Sequence, residues 1–486
     1  MPTYHEVMTT DLSKLTAAAA KWEEMAGRFK VLEGMYEREV HGITLDRSWE
    51  GLSAQAANEK FTVTLKEFQG AQKEAKAVAG ILRDAHTQLV DLRGRVEAAR
   101  DDAVKAGMRV SDQGVVSFDT ERLSQAERTA YVHDGNYQED ARALAAEWSA
   151  HIRQAVQSVT VADDGLRVML EAAVRDSDRL DGTLNGFNRE AGASPYPSLE
   201  AAGRAANMPE DRKQVPEWWR SLDPVTRGVL LQERGDELRA AGIMDPTLKW
   251  RSPDEGSGAF GVEKPTPRDV WLHAQALGIA TAGDVAGQVG ASRNMLHYLD
   301  GTGDPLNLDV DRILHDDETF RSQVEELHLG HNQESWHRNA LDEFHKAGGD
   351  KTVVMPVESD KLDRTFREGE WFHAVGSHSQ NVSGLVCVSP GEDGKPKVSL
   401  EYQVNVWDRY NWDVGKSTEL PGGLDIRDED MGRLHKTGIA QEFDMRGSSS
   451  FYAYDLNASA PPALAPQEPG REGTQADVSR GEEKNR

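Results

Sequence analysis

Seven consecutive residues, Trp407-Asp408-Arg409-Tyr410-Asn411-Trp412-Asp413, crowd carboxylates, a guanidinium and three aromatic rings directly after the most regular strand pattern in the chain. Strand-to-loop transitions commonly display binding and catalytic groups. Asp408 and Asp413 form a carboxylate pair suited to general acid–base work in a hydrolysis, or to holding a divalent cation. Downstream stand Asp425, Asp428, Asp430, His435, Glu442 and Asp444. A carboxylate near a histidine suffices for proton transfer if the fold brings both into one cleft. The expected catalytic set is therefore Asp408, Asp413 and His435, with His435 as the second proton carrier. Arg409, Tyr410, Asn411 and Trp412 are the expected substrate-binding residues, Arg409 facing an anionic group such as a pyrophosphate. A structural expectation competes: Arg409 pairs with a nearby Asp, while Tyr410 and Trp412 pack under the sheet.

Other chemistry-bearing patterns carry less. Gly415-Lys416-Ser417 has the end of a phosphate-binding loop, but Tyr410 stands where that loop needs glycine. Asn307, Asp309 and Asp311 begin like a calcium loop, with Arg312 at the position that demands glycine. His328 and His331, near His337 and His345, can share a helix face with Glu334 and ligate zinc. No zinc spacing is completed, so solvated helix histidines are expected there.

The elements that must position the Trp407–Asp413 stretch are strands. Thr352 to Pro356, Trp371 to Val375, Ser383 to Val388 and Val398 to Val406 all read as strands. The last alternates cleanly, with Val398, Leu400, Tyr402, Val404 and Val406 against Ser399, Glu401, Gln403 and Asn405. Gly391 to Lys395 is the expected turn before it. A helix capped by Asp428 should carry Met431, Leu434 and His435. Residues 268–350 are mostly helical in pattern. Val215 to Leu222, followed by Asp223-Pro224, begins a compact helical pair. Its tandem Trp218-Trp219 with Arg227 resembles a segment that precedes α/β-hydrolase domains. No Gly-x-Ser-x-Gly elbow follows, so packing is the expected role of both tryptophans.

The front of the chain is helical. Trp22, Met25, Phe29, Leu32 and Tyr36 recur at spacings of three and four, as do apolar residues from Phe61 to Val96. Two such stripes joined by a turn bury each other as an antiparallel hairpin. The turn holds Ser48-Trp49-Glu50-Gly51, where Trp49 is expected to plug the open end and Gly51 to let the backbone reverse. The second helix should end near Gly107, before a short β-hairpin around Asp112-Gln113-Gly114 and a further helix from Gln138 to about Asp176.

Trp49-x-Gly51 between two helical stripes, followed by Ala54, Ala56 and Ala57, resembles the WXG100 family of type VII secretion substrates over roughly residues 8–105. That resemblance implies a helical WXG-type partner or the secretion machinery as binding partner. It also implies an export route without a cleavable signal peptide. Tyr196-Pro197-Ser198-Leu199-Glu200 fits the letters of the Tyr-x-x-x-Asp/Glu export signal that such proteins carry. Asp408-x-Tyr410-Asn411 is similar to the Asp-x-Tyr-Asp signature of colicin M-like toxins, which cleave the lipid-linked peptidoglycan precursor. Asn411 replaces an acidic residue of that signature, and the nearest downstream histidine, His435, belongs to an expected helix.

The chain has 486 residues and a net charge of −26, from 82 acidic and 56 basic residues. Such an acidic balance argues against nucleic acid or an anionic membrane as partner. No apolar run approaches the ~20 residues that span a bilayer. Met1 to Leu12 lacks the basic and apolar regions of a signal peptide. The protein is thus expected to be secreted without one, or cytoplasmic. The single cysteine, Cys387, rules out an internal disulfide.

The expected fold class is multi-domain α+β, in five parts: a helical domain at residues 1–178, a linker at 179–214, helical middle modules at 215–350, a β-rich domain at 351–456 and a disordered tail at 457–486. The expected function is a type VII-type effector or toxin whose C-terminal domain hydrolyses a cell-envelope substrate, with an immunity protein as possible second partner and any cofactor open. The alternative is a non-enzymatic binding or scaffold protein that recognises a partner through Trp407, Tyr410 and Trp412.

Overall fold

The computed structural model describes residues 2–45, 49–175, 186–192, 194–248, 256–285, 288–367, 369–391, 393–412, 417–420, 424–457 and 464. It divides into two compact units, Met1–Gly235 and Asp236–Arg486. The fold is multi-domain α+β, helical in the first unit and strand-rich towards the end of the second.

In the first unit α1 (Tyr4–Thr9) precedes α2 (Ser13–Tyr36), which runs through a π-helical turn (Glu37–His41) into α3 (Gly42–Leu45). After the bend α4 (Leu52–Lys105) returns antiparallel to α2. Glu33 accepts from Gln69 and Gln72, Glu23 pairs with Arg83, and the Thr10 carbonyl accepts from Arg93. The seam is made of small residues. Ala19 and Ala26 are the buried positions of α2, against Ala71, Ala75, Val78, Leu82 and Ala85 of α4. Trp22, Met25, Phe29 and Tyr36 of α2 are only partly buried, Leu32 of the expected stripe is exposed, and Tyr36 packs edge-on against Phe61.

Gly51 has φ +104° and ψ −177°, a backbone region open essentially to glycine alone, and begins α4. Gly51→Ala is expected to cost about 2 kcal/mol from backbone strain alone. A Cβ there would touch nothing within 4 Å. Urea unfolding of the two proteins side by side checks it. Trp49 does not plug the hairpin. It is 39% exposed, and its indole Nε1 donates to Ser53 Oγ at 3.3 Å. Ile43, Leu45 and Leu52 are exposed as well, so among the described residues of this end none of the large aliphatic ones is covered beside the indole.

Beyond α4, Gly107 (φ +83°) leads into the hairpin β1 (Met108–Val110) and β2 (Val116–Phe118). Then come α5 (Gln125–His133), with a Ser124–Glu127 capping box, and α6 (Gly135–Val174). Met108, Val116, Ala99, Ala103 and Ile152 form one core cluster that ties the hairpin between α4 and α6.

The expected linker is partly a packed element. α7 (Leu199–Ala206) buries Leu199, Ala201, Ala202 and Ala205. A Cβ on Gly203 would overlap the Val161 carbonyl of α6, and one on Gly165 the Leu199 carbonyl, so the two backbones touch. Small residues that look like linker composition are what allow this approach. Tyr196 is buried, its hydroxyl pushed up to about 12 by that burial, and Leu199 is fully covered. The tyrosine of the export-signal letters is therefore not displayed, while Glu200 is half-exposed. α8 (Val215–Ser221) and α9 (Pro224–Ala240) form the expected pair, α9 being broken at Arg234 (φ −137°, ψ 28°). The division between units falls after Gly235, not near residue 178.

The second unit starts with α10 (Pro267–Val285), α11 (Val289–Asp300), β3 (Leu306–Asn307), α12 (Val310–Asp316), α13 (Glu318–Gln323), a π-helical turn (Val324–Gly330) and α14 (His331–Lys346). β4 (Val353–Glu358), β5 (Leu362–Thr365), α15 (Glu370–Ala374), β6 (Ser377–Pro390) and β7 (Pro396–Tyr410) follow. The chain continues through β8 (Ser417–Leu420), β9 (Leu424–Arg427), α16 (Asp428–Lys436), β10 (Phe443–Ser448) and β11 (Tyr452–Asp455). The main sheet has the order β3-β10-β7-β6-β4, with β11 also paired to β7 and β5 to β6. Its spine is the antiparallel ribbon of β6 and β7, in register from Ser379↔Trp407 to Pro390↔Pro396.

Two expectations need correction here. Trp371 to Val375 is not a strand but α15, entered through Gly369 at φ +84°. The helical middle and the β-rich part are not separate domains. β3 joins the sheet in parallel to β10, and His328 before α14 bonds to Ser359 and Gln380 of the strand region. The expected tail lies outside the described residues, apart from Asn457 at its start and Leu464.

Candidate functional site

Strand alternation sorts the Trp407–Trp412 stretch before any contact is considered. Asp408 and Tyr410 fall on one face of β7, Trp407 and Arg409 on the other. In register, Arg409 stands opposite Asp444 of β10, and Tyr410 opposite Phe443. Tyr410 is packed. Its ring stacks on Phe443 at 5.1 Å and lies 5.8 Å from Tyr298, and burial pushes its hydroxyl well above the ordinary tyrosine range. The residue as a whole is half-buried. The structural expectation, Tyr410 under the sheet, holds for this side chain.

The other face gathers Arg409, Glu442 and His435. α16 carries His435, and Arg433 of the same helix fastens it to α10. Arg433 Nε donates to Asp269 Oδ1 at 2.6 Å. That bond, with the Thr266 amide and hydroxyl, holds the Asp269 carboxyl down to about 2. His435 is buried, with both ring nitrogens used. Nδ1 accepts from the Glu442 amide at 3.1 Å, so the ring proton sits on Nε2 and is donated to the Gly258 carbonyl at 2.9 Å. This tautomer follows from the hydrogen-bond pattern. His435 is thus held in place by hydrogen bonds at both ring nitrogens.

Glu442 is the hub. Its side chain is fully buried. Oε1 accepts from the backbone amides of Ser257 at 2.9 Å and Trp412 at 3.3 Å. Oε2 has no hydrogen-bond partner among the described residues. It faces Arg409 Nη2 at 3.8 Å and His435 Nε2 at 4.0 Å. The Arg409 side chain makes no hydrogen bond among the described residues. Its Nη1 lies 3.6 Å from Asp444 Oδ1, and its buried Nε is without a partner, as is Trp412 Nε1. Buried polar atoms normally find partners, and exceptions concentrate where groups are held ready for something else.

Of the expected catalytic residues, the structure therefore brings His435 to Arg409 through Glu442. Asp408 stands on the opposite face from Arg409. Asp413 lies outside the described residues. Asn411 is half-buried at the strand end beside Trp412. Glu442 was visible in the sequence only as one of several downstream acids. Nothing in its spacing separates it from Asp444 or Asp430, because its importance comes from loops that close over it.

A buried carboxylate with one saturated and one uncommitted oxygen, beside a guanidinium with donors to spare, can accept a proton and hold an anionic oxygen in one place. Among the described residues no three His, Cys, Asp or Glu side chains are grouped to hold a metal ion. The histidines near 328 do not form a ligand set, and His328 is not solvated: it is 1% exposed. No helix of the described residues is long and apolar enough to cross a membrane. Neither a protein-family model, nor a curated protein, nor a solved structure matches the chain.

Proposed function

We propose that the chain is an effector of the type VII secretion kind, in which the first unit is the targeting part and the second carries a hydrolytic activity on an anionic cell-envelope substrate. The observation that carries the activity is the buried Oε2 of Glu442, which accepts no hydrogen bond among the described residues and faces Arg409 and His435. Glu442 takes the base role first assigned to Asp408, Arg409 binds the anionic group, and His435 orients Glu442 through its backbone amide. The targeting role rests on the antiparallel hairpin with Trp49 and Gly51 in its bend. Leu52 is 87% and Leu45 61% exposed there, which leaves apolar surface for a helical WXG-type partner or the export machinery. An immunity protein would cover the second unit.

The binding or scaffold alternative has less support because, of its three recognition residues, Trp407 is buried and Tyr410 is half-buried with its ring stacked on Phe443. Glu442→Gln keeps the size and both amide contacts of the side chain while removing its charge. It is expected to lower activity ~100-fold or more, read as loss of growth inhibition when the full chain is expressed, with circular dichroism unchanged. A folded Glu442→Gln protein that inhibits growth as strongly as the parent ends the hydrolase reading. A parent protein that is harmless and stays in the cytosol ends the effector reading.

A further inference from the structure

The sheet face that carries Arg409 is polar along much of its length, yet it is buried. Asn381, Ser383, Gln403 and Asn405 are each under 5% exposed, where clean alternation normally turns such residues to water. What lies on part of it is the chain's own segment 239–248, at the start of the second unit.

A row of side chains on three strands holds that segment. Glu358, Ser383 and Gln403 are directly opposite one another in register, and Glu401 is on the same face two residues along β7. Arg239 donates to Glu401 through Nε at 2.6 Å and Nη2 at 2.8 Å, a bidentate pair. The Met244 carbonyl accepts from Ser383 Oγ at 2.6 Å and Gln403 Nε2 at 3.1 Å. The Glu358 carboxylate accepts the amides of Thr247 and Leu248, at 3.0 and 3.3 Å, and the Thr247 hydroxyl. Ile243 and Met244 are each 2% exposed, so the segment is seated and not merely draped.

These bonds reach mainly from sheet side chains to the main chain of the segment. Main-chain recognition of this kind gives affinity for a peptide, and a single charged anchor gives register. We propose that this row is a peptide-binding face, filled in cis by residues 239–248 and open to a partner's peptide of the same chemistry, a basic anchor followed by free main-chain groups, once the cis segment is released. A tethered segment acts at an effective concentration of order millimolar, so the intact protein keeps its own segment bound. The face shares no residue with the Glu442 cluster, and the inference stands whether or not that cluster is catalytic.

The test uses the full chain and a fluorescent synthetic peptide of residues 239–248. In Arg239→Gln/Thr247→Ala, amide exchange at 243–248 is expected to rise about 10- to 100-fold while β6 and β7 stay protected. That variant should bind the peptide, the parent should not, and adding Glu358→Gln and Glu401→Gln should abolish binding. If the double variant loses protection across β6 and β7 as well, the segment is part of the fold and the inference fails. It fails equally if the segment is released and no peptide binds, or if exchange at 243–248 does not change.

Discussion

Gly203→Ala is expected to unfold the first unit about 6–12 °C below the parent, and Gly165→Ala to behave alike. The added methyl meets main chain and not a side chain that can turn away. On Gly203 it would overlap the Val161 carbonyl, on Gly165 that of Leu199. α6 and α7 must then separate, and overpacking of this kind costs about 3 kcal/mol, which the helix propensity gained by alanine offsets only in part. For a unit of this size each kcal/mol moves the midpoint by ~2–4 °C. Gly94→Ala in α4 is the control. Gly94 is helical and exposed, with nothing within 4 Å of the new methyl, so this change should stabilise by ~0.5–1 kcal/mol. Calorimetry of the three variants decides the matter. Equal midpoints for Gly203→Ala and Gly94→Ala would mean that α7 is not seated on α6.

The second unit is expected to lose about 3 kcal/mol of stability between pH 6.5 and pH 4 through His328 alone. His328 is held in the π-helical turn before α14, with Nδ1 2.8 Å from Ser359 Oγ and Nε2 3.4 Å from Gln380 Nε2. Burial lowers its pKa from 6.5 to about 4, with Arg364 and His331 adding in the same direction and Asp360 opposing. The folded protein therefore keeps His328 neutral where the unfolded chain would protonate it. Its contribution is complete above pH 6.5, is lost as pH falls, and changes no further below pH 4. The size follows from ~1.4 kcal/mol per pKa unit. His378, bonded to Gln380 Oε1 at 3.0 Å, is also pushed down by burial and adds in the same sense, with Asp317 opposing. Exchange protection of the β6–β7 amides, followed from pH 7.5 to 4.5, should fall in the parent. It should fall less steeply in His328→Gln. Parallel profiles would show that His328 does not carry the acid sensitivity.

The parts of this architecture legible in the sequence are those written in local pattern. The alternation from Val398 to Val406, the turn after Pro390, the hairpin around Gly114 and the helix end at Gly107 each follow from residues within a few positions of one another. What the pattern could not convey is what covers a face. Gln403 and Asn405 alternate as solvent-facing residues do, yet both are buried on the face that also holds segment 239–248, many residues away in sequence. Residues 200–206 lack large apolar side chains and so resemble a linker, although smallness is what lets α7 lie backbone to backbone on α6. Trp371 to Val375 has strand composition, but five residues after a glycine with positive φ make a helical turn as readily. The candidate site divides the same way. Arg409 and His435 stand out by type. Glu442 is distinguished only by the Ser257 and Trp412 amides that close on it.

The alanine seam between α2 and α4 also sets how the first unit responds to temperature. Unfolding a hairpin that hides mostly methyl groups exposes little hydrocarbon per residue, and the heat-capacity increment follows that exposure. The first unit should thus melt over a broad range on a shallow stability curve, while the second unit, with its aliphatic and aromatic sheet core, follows a more strongly curved one.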